Sequence, residues 1–160
     1  MSIYILVFGL LFTIGAPLTT LIHEIGHALG LICSTKDGVA RIYIGDFSDS
    51  NKESFKIGRI HFHIVWGIGG ICKLENANDM TTLQGVITTI GGPLISALFT
   101  LILFFFLHDP INNYYFITGM FWMNFFQFLL TIIPMVYPNW WRPYGGYPSD
   151  GYAVLKILKK

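Results

Sequence analysis

Residues 17–33 read PLTTLIHEIGHALGLIC, an apolar segment interrupted by the ionisable side chains of His23, Glu24 and His27. A charged side chain in the middle of a membrane helix costs about 2.5–3.5 kcal/mol on insertion scales, so such residues are functional candidates by default. In a helix, residues four apart lie on one face, so the two imidazoles can reach a single metal ion. The alternative is a cluster of interior polar groups that hydrogen-bond to one another, which does not require this spacing.

The composition of the whole chain indicates a membrane protein. The 160 residues are 53% apolar and only 12% charged, and the mean hydropathy is +0.57. A soluble domain carries about 25% charged residues, so this chain needs a bilayer to cover its apolar surface. Its length predicts a single domain over residues 1–160.

Three apolar segments are long enough to cross about 30 Å of hydrocarbon. They predict helix 1 at about 3–33, helix 2 at about 83–107 and helix 3 at about 114–136. Helix 1 is longer than a span needs and contains Pro17, so we expect a kink, a tilt or an extension beyond the bilayer. No Lys or Arg precedes it and no small-residue cleavage site follows it, which favours a retained helix over a signal peptide.

The positive charges predict the orientation in the membrane. Every Lys and Arg lies in residues 36–73 or 142–160, and three spans place these two regions on the same side. The positive-inside rule makes that side cytoplasmic and the N-terminus extracytoplasmic. The sequence therefore predicts an integral membrane protein in contact with the lipid bilayer. No feature of it resembles a nucleic-acid-binding surface.

The segments between and after the helices predict the remaining structure. Residues 36–80 show partial apolar/polar alternation, as in Ile60–Ile64, and 49–51 form a turn signal. We expect a small antiparallel sheet on the cytoplasmic surface, with His61 and His63 as exposed sheet residues. Within the C-terminal segment, 137–160, the tail from Gly151 predicts a short amphipathic helix. The fold class is thus an α-helical polytopic membrane protein with a small sheet insert.

A zinc site needs a third protein ligand and an open position. Asp109 lies in the turn on the opposite side of the membrane. The acidic residues of the insert are expected to be solvated loop charges: Asp37, Asp46, Asp49, Glu53, Glu75 and Asp79. Asp150 follows helix 3 on the required side, but 148–151 also resembles the start of a helix, where an Asp commonly caps the first turn. Position alone supports ligand and cap equally.

The ordered motifs resemble the site-2 protease family of intramembrane zinc metalloproteases. The family pairs an H-E-x-x-H helix with a later Asp-Gly, matched by Asp150-Gly151, and carries a Gly-Pro motif at a following membrane helix, matched by Gly92-Pro93. The resemblance implies a minimal three-helix core with one zinc ion held by His23, His27 and Asp150. It also implies that Glu24 is the catalytic base and that the substrates are membrane proteins or membrane peptides.

The chain departs from the family pattern at positions that the family uses for substrate binding and oxyanion stabilisation. The family often has Gly-Pro-x-x-Asn, whereas Gly92-Pro93 is followed by Ser96, and it often has Asn-x-x-Pro where this chain has Thr131 before Pro134. The candidates for those two roles are Gly92, Pro93, Ser96, Asn124 and Gln127. Interhelical hydrogen bonding is the commoner role for side chains such as those of Asn124 and Gln127.

Peptide-bond hydrolysis is therefore the expected function. By resemblance, the substrates would be membrane-anchored transcription regulators, anti-sigma factors, or leftover signal and pheromone peptides. A catalytically silent relative that binds membrane helices or protects its host is the main alternative, and a zinc carrier is a third. The aromatic residues Trp140, Trp141, Tyr144 and Tyr147 are typical of an interfacial belt, although they could also form a lid over the site.

Overall fold

A computed structural model describes residues 3–48, 50–77, 79–107 and 115–159. Its helices are α1 (Ile3–Leu10), α2 (Ala16–Ser34), α3 (Thr82–Leu107), α4 (Tyr115–Ile132) and α5 (Asp150–Leu158). A π-helical turn, Leu11–Gly15, joins α1 to α2. Four strands lie between α2 and α3: β1 (Val39–Ile44), β2 (Phe55–Ile57), β3 (Ile60–Ile64) and β4 (Gly70–Glu75). The expected turn at 108–113 and its Asp109 lie outside the described residues, as do Asp49 and residue 114.

Three helices of the described chain are long and apolar enough to cross a membrane: Ile3–Ser34, Thr82–Leu107 and Tyr115–Ile132. They leave large apolar side chains uncovered, such as Phe8 and Phe105. A bilayer is the environment in which such side chains lose contact with water. The fold is therefore compatible with an integral membrane protein.

Helix 1 is irregular near Pro17, but the irregularity is a π-helical turn. The backbone N–H of Ala16 bonds to the carbonyl of Leu11, five residues earlier.

Helix 3 of the prediction, which is α4, ends at Ile132 rather than at 136, because Pro134 has no N–H to donate to the carbonyl of Leu130. The hydroxyl of Tyr137 donates to that carbonyl instead, at 3.2 Å.

Helices α2 and α3 cross in backbone contact. A Cβ atom on Gly26 would overlap the carbonyl oxygen of Gly91, and a Cβ on Gly91 would overlap that of Gly26. One turn further along α2, a Cβ on Gly30 would lie 2.6 Å from the carbonyl oxygen of Ile87. Small residues at such a crossing allow close packing of helices, so the helix that carries the two histidines is fixed against α3.

The sheet is mixed, so the prediction of an antiparallel sheet is wrong for one pairing. The strand order is β2-β3-β1-β4. β1 runs parallel to β3 and antiparallel to β4, and β2 runs antiparallel to β3. The reason is that β3, rather than β2, lies next to β1: the chain first forms β2 at the edge of the sheet and then turns back into β3 at Gly58, with φ +57. The face that carries Ala40, Ile42 and Phe62 packs on Leu31 of α2.

Two further side chains define how the sheet is attached and packed. Arg59 donates to the carbonyls of Ile32 at 2.6 Å and Gly38 at 2.8 Å, which satisfies backbone groups at the end of α2 and ties the sheet to it.

The expectation that His63 is exposed is wrong. Its ring is buried, stacks on Tyr43 with centroids 4.3 Å apart and bonds to the Asn51 carbonyl, because the loop after β1 folds over this end of the sheet.

Candidate metal centre

His23, His27 and Asp150 meet at one point between α2 and α5. The two Nε2 atoms of the histidines are 3.2 Å apart. Asp150 places Oδ2 3.1 Å from Nε2 of His23 and Oδ1 3.4 Å from Nε2 of His27. A tetrahedral ion about 2.1 Å from each ligand separates neighbouring ligand atoms by about 3.4 Å. Within the described residues, these three form the His/Cys/Asp/Glu group that could hold a metal ion.

In both histidines, Nδ1 has a hydrogen-bond partner of its own, and this bond fixes the orientation of the ring. Nδ1 of His27 lies 3.0 Å from the carbonyl oxygen of Thr88, which can only accept, so Nδ1 carries the hydrogen and Nε2 of the neutral ring presents a lone pair. Nδ1 of His23 lies 2.9 Å from Oγ of Ser96. Metal-binding histidines usually have such an outer partner. Lone pairs and a carboxylate that converge on one point favour a cation there.

Gly92 of α3 leaves the space that a cation would need. A Cβ atom on this residue would overlap Nε2 of His27 and lie 2.8 Å from Nε2 of His23. Because zinc binds imidazole nitrogen at about 2.0–2.1 Å, a methyl group at this position would compete with the ion for the same volume. The residues present therefore fit a small divalent cation.

Asp150 is free to act as a ligand because Ser149 is the cap of α5. The Ser149 hydroxyl accepts from the backbone N–H of Tyr152 at 3.2 Å and of Met135 at 3.0 Å, and it donates to the carbonyl of Ile133 at 2.7 Å. A Cβ atom on Gly151 would overlap the carbonyl oxygen of Ile132. The Ser-Asp-Gly run thus docks the start of α5 on the end of α4 and directs the Asp150 carboxylate towards α2.

The environment of Asp150 keeps its carboxyl group ionised. Burial alone would raise its pKa, but the hydrogen bonds that His23 and His27 donate when their Nε2 atoms carry a hydrogen outweigh burial and lower the pKa to about 2. A metal ligand must be deprotonated to bind, so this carboxylate is in the required state at neutral pH.

Glu24 lies beside the triad without belonging to it. Its side chain is 6% exposed, and its carboxylate faces the backbone N–H of Cys72 in β4. Glu24, the two histidines and Asp150 all line one cavity of about 600 Å³. Apolar side chains from helix 1 and α4 line it as well, among them Phe12, Met123, Phe126 and Leu130. The cavity therefore combines the carboxyl group of Glu24 and the His23, His27 and Asp150 cluster with apolar walls from helix 1 and α4.

The other predicted site residues are divided between the cavity and the helix packing. Gln127 lines the cavity. Ser96 and Asn124 are 0% exposed, and Asn124 donates to the carbonyl of Ser96 at 2.8 Å and to Oγ1 of Thr100 at 2.9 Å. Asn124 thus forms hydrogen bonds between α4 and α3, and the hydroxyl of Ser96 bonds to Nδ1 of His23. Pro93 is fully buried in α3.

Sequence reasoning missed two residues of the centre. Thr88 contributes a backbone carbonyl, for which the sequence carries no signal. Ser149 could have been considered as the cap beside Asp150, since Ser and Asp are about equally favoured at the N-cap.

Comparison with known proteins finds no match to this chain among family models, curated proteins or solved structures.

Proposed function

We propose that the protein is an intramembrane zinc metalloprotease that hydrolyses peptide bonds of membrane-embedded helices. The observation that carries the proposal is the convergence of His23, His27 and Asp150 on the space left by Gly92, with Glu24 lining the same apolar cavity. Two histidines and one carboxylate with an open fourth position are a typical ligand set for catalytic zinc. When bound, zinc supplies a Lewis acid for the scissile carbonyl and the attacking water.

Glu24 is the general base and acid of the proposed reaction. It takes a proton from the water molecule as the water oxygen bonds to the carbonyl carbon of the scissile peptide. The carbon–nitrogen bond then breaks, and Glu24 delivers the proton to the leaving amine. Its position in a cavity with apolar walls limits the access of other water, which strengthens electrostatic interactions within the site.

The outer edge of β4 is the proposed binding site for the unwound substrate. A substrate helix must open locally, and its freed backbone groups need partners at membrane depth. Gly45 donates to the carbonyl of Gly69 at 2.8 Å, so the odd-numbered residues of β4 pair with β1. The backbone groups of Gly70, Cys72 and Leu74 therefore point to the other side, where a substrate can add as a strand. Such a strand would take the place of the Glu24 carboxylate at the N–H of Cys72.

The orientation of the protein in the membrane is also part of the proposal, and it rests on the positions of the positively charged residues. Every Lys and Arg lies in residues 36–73 or 142–160, and the positive-inside rule supports a metal centre near the cytoplasmic face. Substrates would then be membrane proteins or membrane peptides cleaved near that face.

Removal of the metal tests the proposal most directly. In protein reconstituted in lipid vesicles, we expect about one zinc ion per chain and cleavage of some members of a panel of transmembrane peptides, with products identified by mass spectrometry. A chelator should abolish cleavage, because the scissile carbonyl then lacks its Lewis acid, and added zinc should restore it. Zinc binding without cleavage of any peptide would instead support a silent relative, and zinc transfer across the vesicle membrane would support a carrier.

Asp150→Asn is expected to weaken zinc binding by at least about a hundredfold, more than the loss of an outer-shell partner. The amide has no charge and is a poor zinc ligand, whereas the cap Ser149 stays in place. Zinc content after competition with a chelator of known affinity measures the change. Asp37→Asn, an exposed position after α2, is the matched control. Equal zinc affinity in the two variants would remove Asp150 from the ligand set.

A further inference from the structure

Side chains already occupy part of the outer edge of β4. Glu24 faces the N–H of Cys72, and Tyr144 bonds to Gly70 at the end of the strand. The hydroxyl of Tyr144 accepts from the backbone N–H of Gly70 at 2.7 Å and donates to the carbonyl of the same residue at 3.1 Å. These are the two groups through which Gly70 would bond to an added strand. A single hydroxyl thus takes the place of one peptide unit of a partner strand.

Tyr144 belongs to residues 137–148, which we call the cover loop. The loop is closed on itself by backbone bonds between Tyr137 and Tyr147 and from Gly146 to Tyr137, each 2.9 Å long. Its contacts with the sheet insert include the Tyr144 hydroxyl, the ring of Tyr144 against Phe47 and Pro143 beside Gly69. Trp141, Tyr144 and Tyr147 line the cavity of the metal centre. The loop is therefore a self-contained unit fastened across the cavity.

We propose that Tyr144 is a gating residue: its bond to Gly70 holds the cover loop closed, and a substrate strand enters by displacing this hydroxyl from β4. The proposal rests on the proposed function, since it assigns the β4 edge to the substrate. The competition is direct, because Gly70 cannot bond to both partners at once. Closed, the loop covers the polar groups of the cavity; open, it exposes the strand edge beside Glu24.

Tyr144→Phe tests the gate, because it keeps the ring and removes both hydrogen bonds. For a cleaved transmembrane peptide, KM should fall about tenfold, in line with the loss of one to two net hydrogen bonds, while kcat and zinc content stay near the parent values. A residue with a merely structural role would lower kcat or zinc content instead. Tyr152→Phe is the matched control, since Tyr152 of α5 is 42% exposed and does not line the cavity, and it should leave KM unchanged.

A second measurement needs neither zinc nor a substrate. Cys72 lines the cavity, and burial raises the pKa of its thiol, so closed protein should react slowly with a small uncharged maleimide. In a Cys33→Ser background, Tyr144→Phe should speed alkylation of Cys72 about tenfold, and Tyr152→Phe should not. Unchanged alkylation together with an unchanged or higher KM would overturn the gate. Faster alkylation in a protein that never cleaves a peptide would keep the gate and reject the protease.

Discussion

Replacement of Glu24 by glutamine is expected to lower peptide-bond cleavage by about 10²–10⁴-fold, the usual contribution of a general base, while about one zinc ion per chain is retained. The amide has nearly the same shape as the carboxylate but cannot accept a proton from water. The three ligand atoms belong to His23, His27 and Asp150, so metal binding should survive. Initial rates on a transmembrane peptide and zinc content, measured on the same preparation, separate the two effects.

The control for this substitution is Glu75→Gln, the same chemical change on β4. Glu75 forms an ion pair with Arg41 on the exposed face of the sheet, 2.7 Å apart, and its replacement should leave cleavage near the parent rate. If the Glu24→Gln protein were fully active, the proposed mechanism would be rejected, even with zinc present. An inactive, zinc-loaded protein would in addition be a means of trapping substrates, since it would bind without cleaving.

Gly92→Ala is expected to abolish zinc binding, and cleavage with it. The added methyl group would overlap Nε2 of His27 and lie 2.8 Å from Nε2 of His23. The two imidazole rings cannot move away easily, because Nδ1 of His27 bonds to the carbonyl of Thr88 and Nδ1 of His23 bonds to the hydroxyl of Ser96. Zinc content of the purified protein measures the effect, and helix content by circular dichroism checks that the variant is folded.

Gly85→Ala is the matched control for Gly92→Ala on the same helix. A Cβ atom on Gly85 would meet Ile157 at 3.5 Å, which is ordinary contact, so zinc content and cleavage should be unchanged. Retention of one zinc ion by folded Gly92→Ala protein would show that the ion does not occupy the space beside Gly92, and the assignment of the centre would have to be revised.

The helices and the histidine pair could be predicted because each depends only on residues that are close together in the sequence. Apolar length determines which segments can cross a membrane, and the spacing of His23 and His27 places them on one helical face. The prediction that Asp150 joins this pair rests on the family resemblance, because its position in the sequence is equally compatible with a helix cap. The structure gives the cap role to Ser149, whose hydroxyl bonds to the carbonyl of Ile133, directly after α4, and to the backbone N–H of Tyr152 in α5.

The remaining features depend on contacts between distant parts of the chain. The parallel pairing of β1 with β3 follows from the position of β3, rather than β2, beside β1, which alternation of apolar residues does not encode. The burial of His63 depends on a loop folding over it. The role of Gly92 as the space beside two imidazoles is visible only when α3 is packed on α2, and the bond of Tyr144 to Gly70 joins residues 74 positions apart.

The π-helical turn at Leu11–Gly15 holds one residue more than a regular α-helical turn would between the two parts of helix 1. In a regular α-helix, one extra residue would rotate Ile3–Leu10 by about 100° around the helix axis relative to Ala16–Ser34, whereas the wider turn absorbs the residue and keeps the faces of the two parts nearly aligned. The outer part contacts α4 through Tyr4 and Tyr115, and the inner part carries His23, Glu24 and His27. Deletion of one residue from this turn should therefore restore regular α-helical bonding while both parts keep the faces that they now present.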